Sequence, residues 1–178
     1  MAKKDEPLGF DILERADTLF DGISDLTLLV LKAHLLLEEE LYNQLRRLFP
    51  NPEHYDRLNL RFIQNIMLAR AFCIRRTDEG EPVEHVELCW DALEALNTFR
   101  NRLAHHLEPG DVQNLLARLQ LTQPQPLSME DPDLVRKLNI PIGFLLQFVS
   151  SLIAFISFDI SVHPLAEAGP NNWGQQGR

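Results

Sequence analysis

Apolar positions recur in steps of three and four over most of this chain, the spacing of one helical face, and no run alternates strictly as a half-buried strand would. The pattern predicts a short first helix from Leu8 to Phe20, broken by Asp21-Gly22. A long second helix follows, capped near Ser24 and running to Phe49, where Pro50 and Pro52 end it. A third spans Tyr55 to Ile74, with Leu58, Phe62, Ile66, Ala69 and Cys73 on one stripe, and the polar stretch Thr77 to Pro82, with Gly80, forms a loop. The fourth helix runs from Val83 to Leu107. Pro109-Gly110 stops it, and Asp111 begins a short fifth helix to Leu121. Pro124, Pro126 and Pro132 make Thr122 to Pro132 a surface loop, and Asn139 with Pro141 supplies a cap and first turn for an apolar last helix. From His163 onward the chain is rich in Gly, Asn and Gln. The expected organisation is an all-α bundle of four to five main helices plus short ones: one domain over residues 1–162 and a disordered tail over 163–178.

The last helix carries no charged residue between Lys137 and Asp159, a length that would span a bilayer. Its small and polar residues, Gly143, Gln147, Ser150, Ala154, Ser157 and Ser161, fall on one helical face, opposite Phe144, Leu145, Phe148, Val149, Leu152, Phe155, Ile156 and Ile160. A glutamine and three serines on that face favour a core helix with one close neighbour over a membrane span.

The composition, 45% hydrophobic and 24% charged in 178 residues, is that of a globular domain with a sizeable core. The formal charge of −9 counts against a protein that coats nucleic acid through its surface at large, so phosphate contact would have to rely on a local patch. Cys73 and Cys89 sit in apolar helical patterns without metal-ligand spacing and are expected to be buried thiols in a reducing cytoplasm. The first residues, Met1 to Pro7, include lysines but no apolar run after them, so no signal peptide is expected and the protein is placed in the cytoplasm.

That patch lies on the fourth helix. Arg100-Asn101-Arg102-Leu103-Ala104-His105-His106 gathers hydrogen-bonding and proton-transferring groups between apolar residues, and no acidic residue interrupts the span from Glu94 to Glu108. Leu93, Leu96, Leu103 and Leu107 mark the apolar stripe, whose slot between Leu96 and Leu103 falls on Phe99 or Arg100. Arg100 therefore sits at the edge of the buried seam. Glu94, Asn97, Asn101, His105 and Glu108 form a polar stripe beside it, with Asn101 and His105 one turn apart. Histidine accepts and donates protons near neutrality. Arginine matches phosphate oxygens and holds charge that develops on them, and asparagine orients either partner. Those are the parts required for cleaving RNA without a metal, where a 2′-hydroxyl attacks the neighbouring phosphate. A solvated helix face, or an arginine paired with a carboxylate, carries the same residues.

Arg100-Asn101-x-x-x-His105 resembles the Arg-x4-6-His signature of HEPN domains, small α-helical modules that often act as ribonucleases, and the flanks Leu-Asn-x-Phe-Arg and His-Leu-Glu-Pro look like those of bacterial members. The resemblance implies His105 in proton transfer, Arg100 as the phosphate and transition-state clamp, and Asn101 as the polar residue beside it. It also implies RNA as substrate, a homodimer built through the motif helix or the last helix, and no cofactor. As the effector of a toxin–antitoxin or phage-defence system, such a protein would meet an antitoxin or regulatory partner. Arg102 and His106 lie outside the family pattern; they are candidates for binding the RNA backbone or for favourable charge at a helix C-terminus. The alternative is a non-catalytic interaction or regulatory module on the same bundle.

A second constellation, Lys32, His34, Glu38, Glu39 and Glu40, lies on the second helix. His34 and Glu38 share a face, so Glu38 is placed to fix the His34 tautomer, as a supporting pair for the motif or as a pair at the bundle surface. Lys-Ala-His-Leu-x-x-Glu also looks like early helices of HEPN-type proteins. There is no HExxH or CxxC spacing, no metal is expected, and no Gly-rich phosphate loop or nucleophile elbow occurs.

Overall fold

The computed structural model describes residues 10–73, 84–103, 109–121 and 127–152. Among these, seven helices and no strand form an all-α bundle: α1 (Phe10–Phe20), α2 (Leu26–Leu48), α3 (Pro52–Leu58), α4 (Phe62–Phe72), α5 (Glu84–Leu103), α6 (Pro109–Leu119) and α7 (Leu134–Ser150). Residues 163–178, expected to be a disordered tail, lie outside the described residues.

Helix α2 is the axis of the bundle. Leu29, Val30, Ala33, Leu36, Leu37, Leu41 and Leu45 are buried along it, and α1, α3, α4, α5 and α7 all pack on it. Its cap is Asp25, one residue beyond the expected Ser24; the Asp25 carboxylate accepts from the Leu28 N–H at 2.7 Å. Helix α1 buries Ile12, Ala16 and Phe20, four residues apart, before Gly22 turns the chain at a φ of 66°.

The expected third helix is two. Pro52 opens α3, and Asn59, at a φ of 47°, ends it in the left-handed region that asparagine tolerates. Helix α4 then restarts after Arg61, whose backbone N–H donates to the Gln64 side chain at 2.9 Å. The break separates the expected stripe: Phe62, Ile66 and Ala69 are buried, whereas Leu58 is exposed and Cys73 half-buried.

Helix α6 includes Pro109 and Gly110 and so begins two residues before the expected Asp111. Val112, Leu115, Leu116 and Leu119 form its buried face. Helix α7 begins five residues before Asn139, so Pro141 lies inside it and does not start it. An interior proline costs a helix about 3 kcal/mol, but Leu134, Leu138, Ile142, Leu145, Leu146 and Val149 bury a continuous stripe on both sides of it. That stripe also displaces the expected faces of the helix. Of the small and polar residues described, Ser150 is buried, Gly143 half-buried and Gln147 exposed, while Phe144 of the opposite set is exposed. Ala154, Ser157 and Ser161 lie outside the described residues. No helix among the described residues is long and apolar enough to cross a membrane.

One core joins these elements, with Trp90 and Phe99 its largest fully buried side chains. Cys89 is a free thiol, and burial pushes it up to about 11.

Candidate functional site at the end of helix α5

Helix α5 presents its core face through Leu93, Leu96 and Phe99. Phe99 fills the seam slot completely, and this turns the next residue, Arg100, to the exposed edge. Asn101 and Arg102 are exposed beside it. Arg100 Nη1 donates to Asn101 Oδ1 at 2.9 Å, so the amide steadies the guanidinium while its other donors remain on the solvent side. His105 and His106 lie outside the described residues, as do Leu107 and Glu108 of the expected stripes.

The second constellation comes to the same place. His34 of α2 is only 4% exposed, so the expected surface pair holds for Glu38 alone. Its principal partner is on the motif helix: His34 Nε2 stands 3.2 Å from Asn97 Oδ1. Nδ1 is 3.7 Å from Glu38 Oε2, and the ring meets Phe62 of α4 edge-on at 4.7 Å. Burial lowers the His34 pKa below the ordinary 6.5; Asn97 and Glu38 oppose that shift, and the positive charge of Arg100 reinforces it. Asn97 and Arg100 are three residues apart on one helix, which puts the buried imidazole and the exposed guanidinium on adjoining turns.

The polar stripe of α5 thus splits by partner. Asn97 takes His34, and Asn101 takes Arg100. Glu94 turns away from both, to Arg70 of α4 at 3.1 Å and towards Arg118 of α6 at 3.9 Å. Arg70 also bonds Glu87, with Asp91 at 3.8 Å, and so clasps α4 to α5 below the site. Sequence reasoning placed Asn97 on the stripe without giving it a role; the available signal was its position one turn before Asn101, on the side where α2 had to pack. Lys32, grouped with His34 in the sequence, caps the end of α1 by donating to the Leu19 carbonyl at 2.9 Å, and Glu39 pairs with Arg15.

Grooves open between the described helices as well. One, of about 530 Å³, lies between α2 and the α3–α4 corner, lined by Leu35, Glu38, Tyr42, Asp56 and Asn65. Within it Tyr42 donates to Asp56 at 2.5 Å, and Arg46 holds the same carboxylate at 2.9 Å. Another, of about 820 Å³, runs between α1 and α7. Among the described residues no group of three or more His, Cys, Asp or Glu side chains is arranged to hold a metal ion.

What the α5 end offers chemically is an exposed cation with a fixed neighbour, backed by a buried imidazole whose two nitrogens both face oxygen acceptors. Neither a protein-family model, nor a curated protein, nor a solved structure matches this chain at a significant level.

Proposed function

We propose that this protein is a HEPN-type, metal-independent endoribonuclease acting through Arg100, Asn101 and His105. The observation that carries the reading is the exposed Arg100–Asn101 pair at the last described turn of α5, one turn before His105 in the sequence. In this mechanism the 2′-hydroxyl oxygen of a bound RNA attacks the adjacent phosphorus, and the bond to the 5′-oxygen of the next nucleotide breaks. His105 moves the proton between attacking and leaving oxygens, and Arg100 holds the charge that builds on the non-bridging oxygens. Asn101 keeps the guanidinium in register, while Arg102 and His106 take flanking phosphates. The acidic remainder of the chain confines RNA to this end, and a second copy meeting through α5 or α7 would complete the cleft. A cytoplasmic effector of a toxin–antitoxin or phage-defence pair, held by a regulatory partner, is the setting that fits such an activity.

A second reading, a non-catalytic interaction or regulatory module, draws on the exposed Leu28, Leu31 and Leu35 of α2 and on the net charge of −9. Incubation of a broad set of RNAs without divalent metal separates the two. Cleavage by the wild type that is lost in His105→Ala and Arg100→Ala supports the nuclease. Identical behaviour of all three proteins rejects it in favour of the interaction module.

A further inference from the structure

The surroundings of His34 are arranged for a protonated ring that the rest of the site opposes. A neutral imidazole has one N–H and one lone pair, yet Nε2 faces Asn97 Oδ1 and Nδ1 faces the Glu38 carboxylate. The neutral Nε2–H tautomer already satisfies Asn97; only the imidazolium also carries a charge for Glu38, which at 3.7 Å is an ion-pair partner rather than a hydrogen-bond acceptor. Two things stand against it: the burial of the ring, and the positive charge of Arg100 on the adjoining turn of α5. Burial is fixed by the fold. The field of Arg100 can be cancelled by a ligand, because its guanidinium is exposed and, among the described residues, its hydrogen-bond partner is a neutral amide.

We propose that capture of a phosphate ester at Arg100 and uptake of a proton by His34 are one coupled event. A phosphate placed on the guanidinium cancels the field that His34 feels and adds negative charge beyond it, so the imidazolium keeps its bond to Asn97, pairs with Glu38 and loses its opponent. Linkage requires the reverse as well: a protonated His34 strengthens the hold on the anion by the same factor. The imidazolium also donates firmly to Asn97, which fixes the turn of α5 that presents Arg100 and Asn101. His34 is in this sense a positioning residue, acting through Asn97. Among the described residues the charged groups facing the ring are Glu38 from its own helix and Arg100 from α5; α4 presents the apolar Phe62. His105 and His106 follow on the chain outside the described residues, so the readout must resolve individual histidines.

The inference rests on reading Arg100 as a phosphate-binding residue but not on catalysis, and its test uses probes that are not cleaved. The full-length protein is titrated by NMR, following the His34 ring, alone, with inorganic phosphate, and with a 2′-O-methyl RNA oligonucleotide, which lacks the attacking hydroxyl. The expected result is an upward shift of the His34 titration with bound probe. Affinity should rise on acidification by no more than about tenfold per pH unit, the ceiling for one proton. A shift with the oligonucleotide alone assigns a phosphodiester chain as the ligand, and a shift with both assigns the phosphate group itself. In Arg100→Gln the free protein should already titrate higher, and neither probe should move it further. Calorimetry in buffers of different ionisation heat should show proton uptake on binding that His34→Gln removes. The proposal is overturned if neither probe binds, if binding leaves the His34 titration where it was, or if Arg100→Gln leaves it unchanged in the free protein. Coupling without RNA cleavage would remove the nuclease and leave this inference standing; cleavage with an unmoved His34 would do the opposite.

Discussion

The Ser150 hydroxyl donates to Glu40 Oε1 at 3.0 Å and so ties the last turn of α7 to the middle of α2. The same carboxylate oxygen accepts from Gln44 Nε2 at 2.6 Å, one turn further along α2. Ser150 and Gln44 are both buried, so this small polar knot sits inside the α2–α7 contact. It fixes how far α7 slides along α2, a degree of freedom that leucine packing alone leaves soft.

Ser150→Ala should therefore destabilise the fold by about 1 kcal/mol, the net worth of one hydrogen bond, while Glu40 keeps Gln44 as a partner. Ser150→Leu should cost more, about 1–3 kcal/mol, because α2 and α7 must separate to admit it. Chemical denaturation checks both, read as a lower midpoint with an unchanged slope. Equal losses for the two variants would show that the hydroxyl contact matters and the fit does not.

Stability should also depend on pH through His34. Folding lowers its pKa, chiefly by burial, so between the ordinary 6.5 and that lower folded value the unfolded chain binds more protons than the folded one. Stability must then fall as the pH drops through that window and level off below it. Carboxylates whose pKa is also lowered, Asp56 by its hydrogen bonds from Arg46 and Tyr42 and Asp131 by its bond from Lys137, lose their contributions only under more acid conditions, below their ordinary 3.8. Thermal melting between pH 7.5 and 5 should show the loss in the wild type and a flatter profile in His34→Gln. A wild-type melting temperature constant across that range would contradict the lowered pKa.

The contrast between His34 and Arg70 shows how much the sequence could reveal. The helical period exposed the all-α class and, at Leu93 and Leu96, the buried face of α5, because that helix repeats its apolar residues over several turns. The motif residues were legible for the same reason: polar groups interrupt such a period conspicuously. Contacts between helices left no such trace. That His34 would meet Asn97, 63 residues away, depends on how α2 and α5 are rotated against each other. The Arg70 clasp on Glu87 and Glu94 likewise needs α4 to end beside α5. Pro141 misled for a different reason: its local preference for a first turn was overridden by Leu134 and Leu138, whose burial extends the helix ahead of it.

At Asn59 the backbone makes the prediction. Its φ of 47° costs an ordinary side chain about 1–2 kcal/mol, which asparagine partly escapes and glycine avoids entirely. Asn59→Gly should be neutral or slightly stabilising, and Asn59→Val should lose about 1–2 kcal/mol as the α3–α4 corner resists the β-branched residue. Calorimetric melting of the two variants should bracket the wild type. If valine is tolerated as well as glycine, the corner is not held in the left-handed conformation.

Trp90 gives the sharpest test of the core. The indole is fully buried, its ring meets Phe148 of α7 edge-on at 4.9 Å, and its Nε1–H has no hydrogen-bond partner among the described residues. Trp90→Ala should cost about 3–5 kcal/mol, since it removes the largest side chain of the core and the ring contact together. Trp90→Phe is different. It keeps an aromatic ring against Phe148 and deletes a buried donor whose unmet hydrogen bond costs about 1–3 kcal/mol, which offsets part of the cavity left behind. The phenylalanine variant should therefore unfold at a denaturant midpoint much nearer the wild type than the alanine variant. Equally large losses from both would mean that the indole N–H is satisfied in solution, by a water molecule held between α5 and α7.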